Sequence, residues 1–226
     1  MKILALEFSS STRSAAVLCD ATEQGAARGP AAAITEITES GTRETKAFSM
    51  IEEALRQANC DRGQIECVAV GRGPGSYTGI RIAIAITQGW QLATPIKTAG
   101  ISSVECIAAQ AWENGLRGRA HVVLDAQRNE IYWAAYELND SGRSILEPLR
   151  ISTLEQARKR IAATDLIFGP EVSRWFSSGI TVFPSAAMVA KLVQQNPRFT
   201  PAEALEPIYL RETAFVKAAS GSSRQS

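Results

Sequence analysis

The sequence predicts an α/β protein built from two copies of one unit, and three observations carry that reading. Val68 to Trp90, V-A-V-G-R-G-P-G-S-Y-T-G-I-R-I-A-I-A-I-T-Q-G-W, reads as a buried strand end, a glycine turn and a helix. A short apolar strand ended by a carboxylate and followed by a polar hairpin turn occurs twice, around Glu7 and around Asp125. The strand–Gly–Pro pattern of Val68 to Pro74 returns, shortened, as L-I-F-G-P from Leu166 to Pro170. A supersecondary order repeated within one chain marks duplication, and strands mixed with helical patterns mark a layered α/β fold.

Taken in order, residues 3–6 are a buried strand that Glu7 ends. Phe8 to Arg13 is a polar turn, and Ala15 to Cys19 returns antiparallel. Gln24 to Pro30 is loop, and Ala31 to Ile37 is a third strand. Arg43 to Asn59 carries Ala47, Phe48, Ile51, Ala54, Leu55 and Ala58 at helical spacing. Ile65 to Val70 feeds the glycine turn, where Ser76 or Thr78 caps a helix from near Gly79 to Ala93. Ser102 to Trp112 is the next helix. His121 to Leu124 and Ile131 to Leu138 then repeat the opening hairpin, with His121 read as a strand-end residue without a catalytic role. Thr153 to Ala163 is a charged helix with a solvated face. Leu166 to Gly169 is a strand before a helix at Val172 to Phe176, and Ser185 to Gln195 is the last helix. Prolines 197, 201 and 207 keep the chain extended up to Arg211, and Ser220 to Ser226 is expected to be disordered. The expected units are residues 1–100, residues 101–216 and a tail, 217–226.

Composition excludes several function classes. Apolar residues form 45% of the 226, enough for a substantial core. The 24 basic and 23 acidic side chains nearly cancel, so net charge alone does not drive strong nucleic-acid binding. Cys19, Cys60, Cys67 and Cys106 are scattered, which argues against a disulfide framework or zinc site and fits a reducing cytoplasm. No signal peptide or membrane span is expected.

The glycine turn matches neither the Walker nor the dinucleotide fingerprint, which leaves a phosphate cradle or a purely structural turn. The helix after it is apolar almost all round, with small residues at Gly79, Ala83 and Thr87 and a second small strip at Ala85 and Gly89. Such a helix lies inside a core or against a partner. Glu7 and Asp125 facing each other across a cleft would suit a magnesium nucleotide, and solvated hairpins are the other reading. No metal-binding histidine motif or hydrolytic triad occurs.

Five blocks in order resemble the TsaB family of tRNA threonylcarbamoyladenosine biosynthesis. They are I-L-A-L-E with the Ser9 to Thr12 turn, G-R-G-P-G-S-Y-T-G-I-R from Gly71 to Arg81, G-I-S-S from Gly100, L-D-A-Q-R-N-E-I-Y-W from Leu124, and P-I-Y-L-R from Pro207. The resemblance implies an actin-like, sugar-kinase-like (ribonuclease-H-like) fold of two duplicated α/β halves. It implies a cytoplasmic, non-catalytic subunit with no metal site and no cofactor of its own, ATP and magnesium acting within a complex. The implied partners are a TsaD-type catalytic subunit, a TsaE-type ATPase, tRNA through the complex alone, and a second copy of the chain. The implied interface is the helix pair Arg43 to Asn59 and Gly79 to Ala93, through Phe48, Ile51, Leu55, Gly79, Ile80, Ala83 and Thr87. Glu7, Ser9, Thr12, Gly73, Gly75 and Asp125 are the candidate nucleotide-facing residues, the alternative function being a phosphotransferase that uses Glu7 and Asp125. The chain departs from the family pattern at Glu7, where Asp is usual, at Thr45, where His is frequent, and at Gln127, where Arg is common.

Overall fold

The computed structural model describes residues 1–20, 33–41 and 46–211. The loop expected at Gln24 to Pro30, Thr45 and the tail lie outside the described residues.

The first sheet grows from β1 (Ile3–Glu7), which pairs antiparallel with β2 (Thr12–Cys19) and parallel with β4 (Cys67–Gly71). With β3 (Ala33–Ser40) and β5 (Lys97–Ile101) the order is β3-β2-β1-β4-β5. All five β1 side chains are buried because the sheet is covered on both faces. Side chains of a strand alternate between faces. Leu4 and Leu6 meet α1 (Ala47–Gln57) and α2 (Tyr77–Ala93), joining a core with Ile51, Ala54, Ile80 and Ala83. Ile3 and Ala5 face the other way, into a core that contains Val189, Ala190 and Val193.

The second sheet repeats the plan. β6 (Gly118–Asp125) pairs antiparallel with β7 (Glu130–Asn139) and parallel with β9 (Leu166–Gly169). With β8 (Gly142–Thr153) and β10 (Ile180–Thr181) the order is β10-β9-β6-β7-β8, strand for strand the order of the first. This is the duplicated α/β architecture expected. One face packs on α3 (Ser103–Glu113) and the other on the short α4 (Leu154–Arg160).

Several expectations need correction. The helix expected at Val172 to Phe176 is a single 3-10 turn, Val172–Arg174, because Ser177, Ser178 and Gly179 follow at once and break it. β5, β8 and β10 were not anticipated. Pro148 obscures β8, since proline removes a ladder donor and is confined to edges and irregular pairing. β8 is an edge strand, and its register with β7 slips beside Pro148. His121 sits in the middle of β6 rather than at its end.

Elements from beyond residue 101 also serve the first sheet. α5 (Ala186–Gln195) returns to cover the first sheet, where Ala186 N–H donates to Ser14 Oγ at 2.8 Å. Ala202 and Leu205 join the core of α1 and α2. Thr200 exchanges hydrogen bonds with Thr98. Apolar complementarity decides this: among the described residues of 1–100 no helix covers the face of Ile3, Ala5, Ala16 and Leu18, which takes α5. Among the described residues no helix is long and apolar enough to cross a membrane.

Candidate functional site

The glycine turn after β4 is built around a buried carboxylate. Glu7 is fully buried. Its Oε1 accepts Ser9 N–H at 2.8 Å and its Oε2 accepts the Ser103 hydroxyl at 2.8 Å, while Gly73 N–H donates to that hydroxyl oxygen at 3.2 Å. Glu7 thus ties β1, the turn and α3 together. A side chain at position 71 would displace this carboxylate, because a Cβ there would fall 1.8 Å from Glu7 Oε2. Burial raises the Glu7 pKa above the ordinary carboxylate value, against the lowering effect of its hydrogen bonds to Ser9 and Ser103.

Asp125, the matching residue of the second half, has a different setting. It lines a cleft of about 470 Å³ between the halves, with Ser9, Ser10, Gly75, Gln127 and Arg174. Its Oδ1 accepts Gln127 N–H at 2.7 Å, and its Oδ2 lies 3.7 Å from Arg174. Of the candidate nucleotide-facing residues, Ser9, Gly75 and Asp125 therefore share the cleft. Glu7 and Gly73 lie outside its lining, and the Thr12 hydroxyl pairs with Ser40 Oγ at 3.2 Å. The expected carboxylate pair is corrected: Glu7 is a structural tie beneath the cleft, and the phosphotransferase reading loses its first ligand.

The helix α2 separates two faces. Ser76 caps it, accepting Gly79 N–H at 3.3 Å. Residues at i and i+4 share a face. Gly79, Ile80, Ala83 and Thr87 all turn inward. A Cβ on Gly79 would fall 2.0 Å from the Phe8 carbonyl oxygen, and Thr87 Oγ1 donates to Ala83 O at 2.9 Å. The small strip expected to meet a partner therefore packs on the chain's own β1 turn. Leu55 is likewise sealed in the core. Two residues along a helix is roughly 200° of rotation, so the second strip, Ala85 and Gly89, lies on the outer face. With Ile82, Ile86, Trp90 and Phe48 it lines an open groove of about 610 Å³, at whose floor Ile51 lies. Phe48 is 69% exposed. Which strip faces inward depends on the contact of Gly79 with Phe8, a pairing that helical periodicity leaves open.

Other reactive groups are sequestered. His121 is fully buried, its Nε2 2.8 Å from Asp165 Oδ2 and its ring stacked on Trp133 with centroids 5.7 Å apart. Burial lowers its pKa, and Asp165 opposes that shift. All four cysteines are free thiols, and burial pushes Cys67 up to about 12. Among the described residues no group of three His, Cys, Asp or Glu is placed to hold a metal ion.

Comparison with known proteins agrees with this architecture. Residues 43–192 match the family described as TsaD, tRNA N6-adenosine threonylcarbamoyltransferase. The tRNA threonylcarbamoyladenosine biosynthesis protein TsaB of Escherichia coli (strain K12) is 26% identical over 188 residues, covering 74% of this chain and 80% of that protein. The TsaB protein of Haemophilus influenzae is 30% identical over 59% of this chain and 53% of its own length. The solved structure of YeaZ from Pseudomonas aeruginosa superposes with a TM-score of 0.73 at 23% identity, over 92% of this chain and 99% of that one. The family match spans well over half of the sequence, and the chain belongs to that family, among its TsaB members.

Proposed function

We propose that the chain is a non-catalytic subunit in the formation of tRNA threonylcarbamoyladenosine, and that it binds and activates a TsaD-type transferase. The observation that carries this reading is the exposed apolar groove between α1 and α2. An apolar helix face open to solvent marks an interaction surface. In place of the expected inner strip, the interface comprises Phe48 and Ile51 with Ile82, Ala85, Ile86, Gly89 and Trp90. The proposal is supported by the sequestered histidine and the buried Glu7, which leave the chain's own chemistry to a partner. The same groove can seat a second copy of the chain when the transferase is absent. A TsaE-type ATPase joins the pair, tRNA is reached through the complex in the cytoplasm, and ATP with magnesium is used there rather than by this subunit alone.

The test is reconstitution. The TsaD-type and TsaE-type proteins, an enzyme supplying threonylcarbamoyl-adenylate, and unmodified tRNA are combined with and without this chain. Modified adenosine is then measured by mass spectrometry. Product that depends on the chain, and is lost with Ala85→Arg or Gly89→Arg while the chain stays folded, is the expected result. Equal product without the chain would sink the accessory role.

A further inference from the structure

A polar pocket of about 360 Å³ opens where the end of β5, the first turn of α3 and the segment after α5 meet. Three arginines converge on it, Arg72 from the glycine turn, Arg143 from β8 and Arg198 from beyond α5. Glu105 is the one acidic lining residue, and its carboxylate lies 3.9 Å from Arg143. The pocket therefore carries an excess of positive charge that the near-neutral composition of the chain conceals.

Arg72 is fixed in place. Its backbone N–H donates to Ile101 O at 2.8 Å, and its carbonyl accepts Ile208 N–H at 2.9 Å. Its side chain lies across Gly100, where a Cβ would fall 2.4 Å from Arg72 Cδ. The Arg72 Nε is sealed from solvent against Gly100, which leaves the two terminal nitrogens as the donors open to the pocket. Arg198 is exposed, and among the described residues its guanidinium is in no ion pair or hydrogen bond. Arginines beside a helix C-terminus can donate to its last carbonyls. α5 ends at this pocket, yet neither Arg72 nor Arg198 donates to it. Guanidinium groups present a fork of donors that matches the oxygens of a phosphate.

We infer that this pocket binds a phosphate group, held between Arg72 and Arg198 with Arg143 at its side. The shared chemistry is that of an RNA backbone phosphate or of a free nucleotide's phosphates. The pocket has no lining residue in common with the α1–α2 groove, so both can be filled at once. The site goes beyond the proposed function and is measured on the chain alone, so failure of either leaves the other standing.

The full chain is titrated at low salt into a fluorescein-labelled unmodified tRNA transcript, followed by anisotropy, and with ATP, followed by calorimetry. Arg198→Gln, the Arg72→Gln/Arg198→Gln double variant and Arg62→Gln as a remote control are compared. Arg198 is exposed, so its variant keeps the fold even if Arg72→Gln disturbs the turn. The expected result is weakening of at least about threefold in Arg198→Gln and tenfold in the double variant, with the control unchanged and the salt slope for RNA lower by about one. Transcript binding without ATP binding assigns an RNA backbone phosphate, and ATP binding sensitive to Arg198 assigns a nucleotide phosphate. No binding of either probe by the unaltered chain, or binding that Arg198→Gln and the double variant leave unchanged, overturns the inference.

Discussion

The two halves share a strand order and differ in what covers it. The first sheet is packed on both faces by long helices, α1 and α2 on one side and α5 on the other. The second has α3 on one face and, on the other, α4 of 7 residues and a 3-10 turn where the first half has the 17-residue α2. The acid that ends the first strand is sealed in one half and lines the cleft in the other. Duplication thus preserved the sheets while the helices diverged. Among the described residues the second half has no counterpart of α2 and none of the groove it lines.

Large substitutions break this comparison most visibly. Trp133 is the largest buried side chain of the second half, stacked on His121 with Arg150 4.4 Å above its ring. Trp133→Ala is expected to cost about 3–5 kcal/mol in urea unfolding. A value near zero would mean that the thinly covered sheet contributes little to stability. In the first half, Ala83→Trp overpacks the inner face of α2 and is expected to cost about 3 kcal/mol. Its outer-face counterpart Ala85→Arg should change stability by less than about 0.5 kcal/mol yet abolish transferase binding on a sizing column. Equal destabilisation by both would erase the distinction between the two faces.

Glu7 and His121, one in each half, contribute to the pH dependence with opposite sign. The folded chain keeps a proton on Glu7 to higher pH than the unfolded chain, because burial raises its pKa. Stability therefore falls as pH rises from the ordinary value of 4.5 through the raised one. His121 is held below its ordinary 6.5 by burial, so the folded chain binds fewer protons there and stability falls as pH drops below 6.5. Glu7→Gln should flatten the first slope and His121→Gln the second in unfolding measured across that range. A slope unchanged by its own substitution refutes the assignment to that residue. The smallest effect is expected at Asp125→Asn, within about 0.5 kcal/mol, since this carboxylate is partly solvated and its backbone contact survives amidation.

The elements easiest to read in the sequence were those whose pattern is local. Val68 to Val70, Leu166 to Gly169 and the helices that follow Ser76 and Ser185 announce themselves through apolar runs, glycines and, before α2, a hydroxyl cap. Both hairpins and their duplication followed from the acids that end their first strands. The rest depended on long-range contacts. β8 hides behind Pro148, and β5 is only five residues with a glycine among them. The orientation of α2 is set by the approach of Gly79 to Phe8, and the burial of Glu7 by Ser103 on another helix. Neither is written in helical or strand periodicity. The arginine pocket gathers residues 72, 143 and 198, which no window of sequence brings together.

The return of α5 to the first sheet has a consequence for biosynthesis. A ribosome delivers Ile3, Ala5, Ala16 and Leu18 long before residues 186–195, which cover them. Until then one apolar face of a finished sheet stands bare, the kind of surface that aggregates or engages chaperones. A chain truncated after residue 185 should bind a hydrophobic dye that the full chain excludes. Synthesis of residues 186–195, rather than of either sheet, is the step that covers this face of the nascent protein.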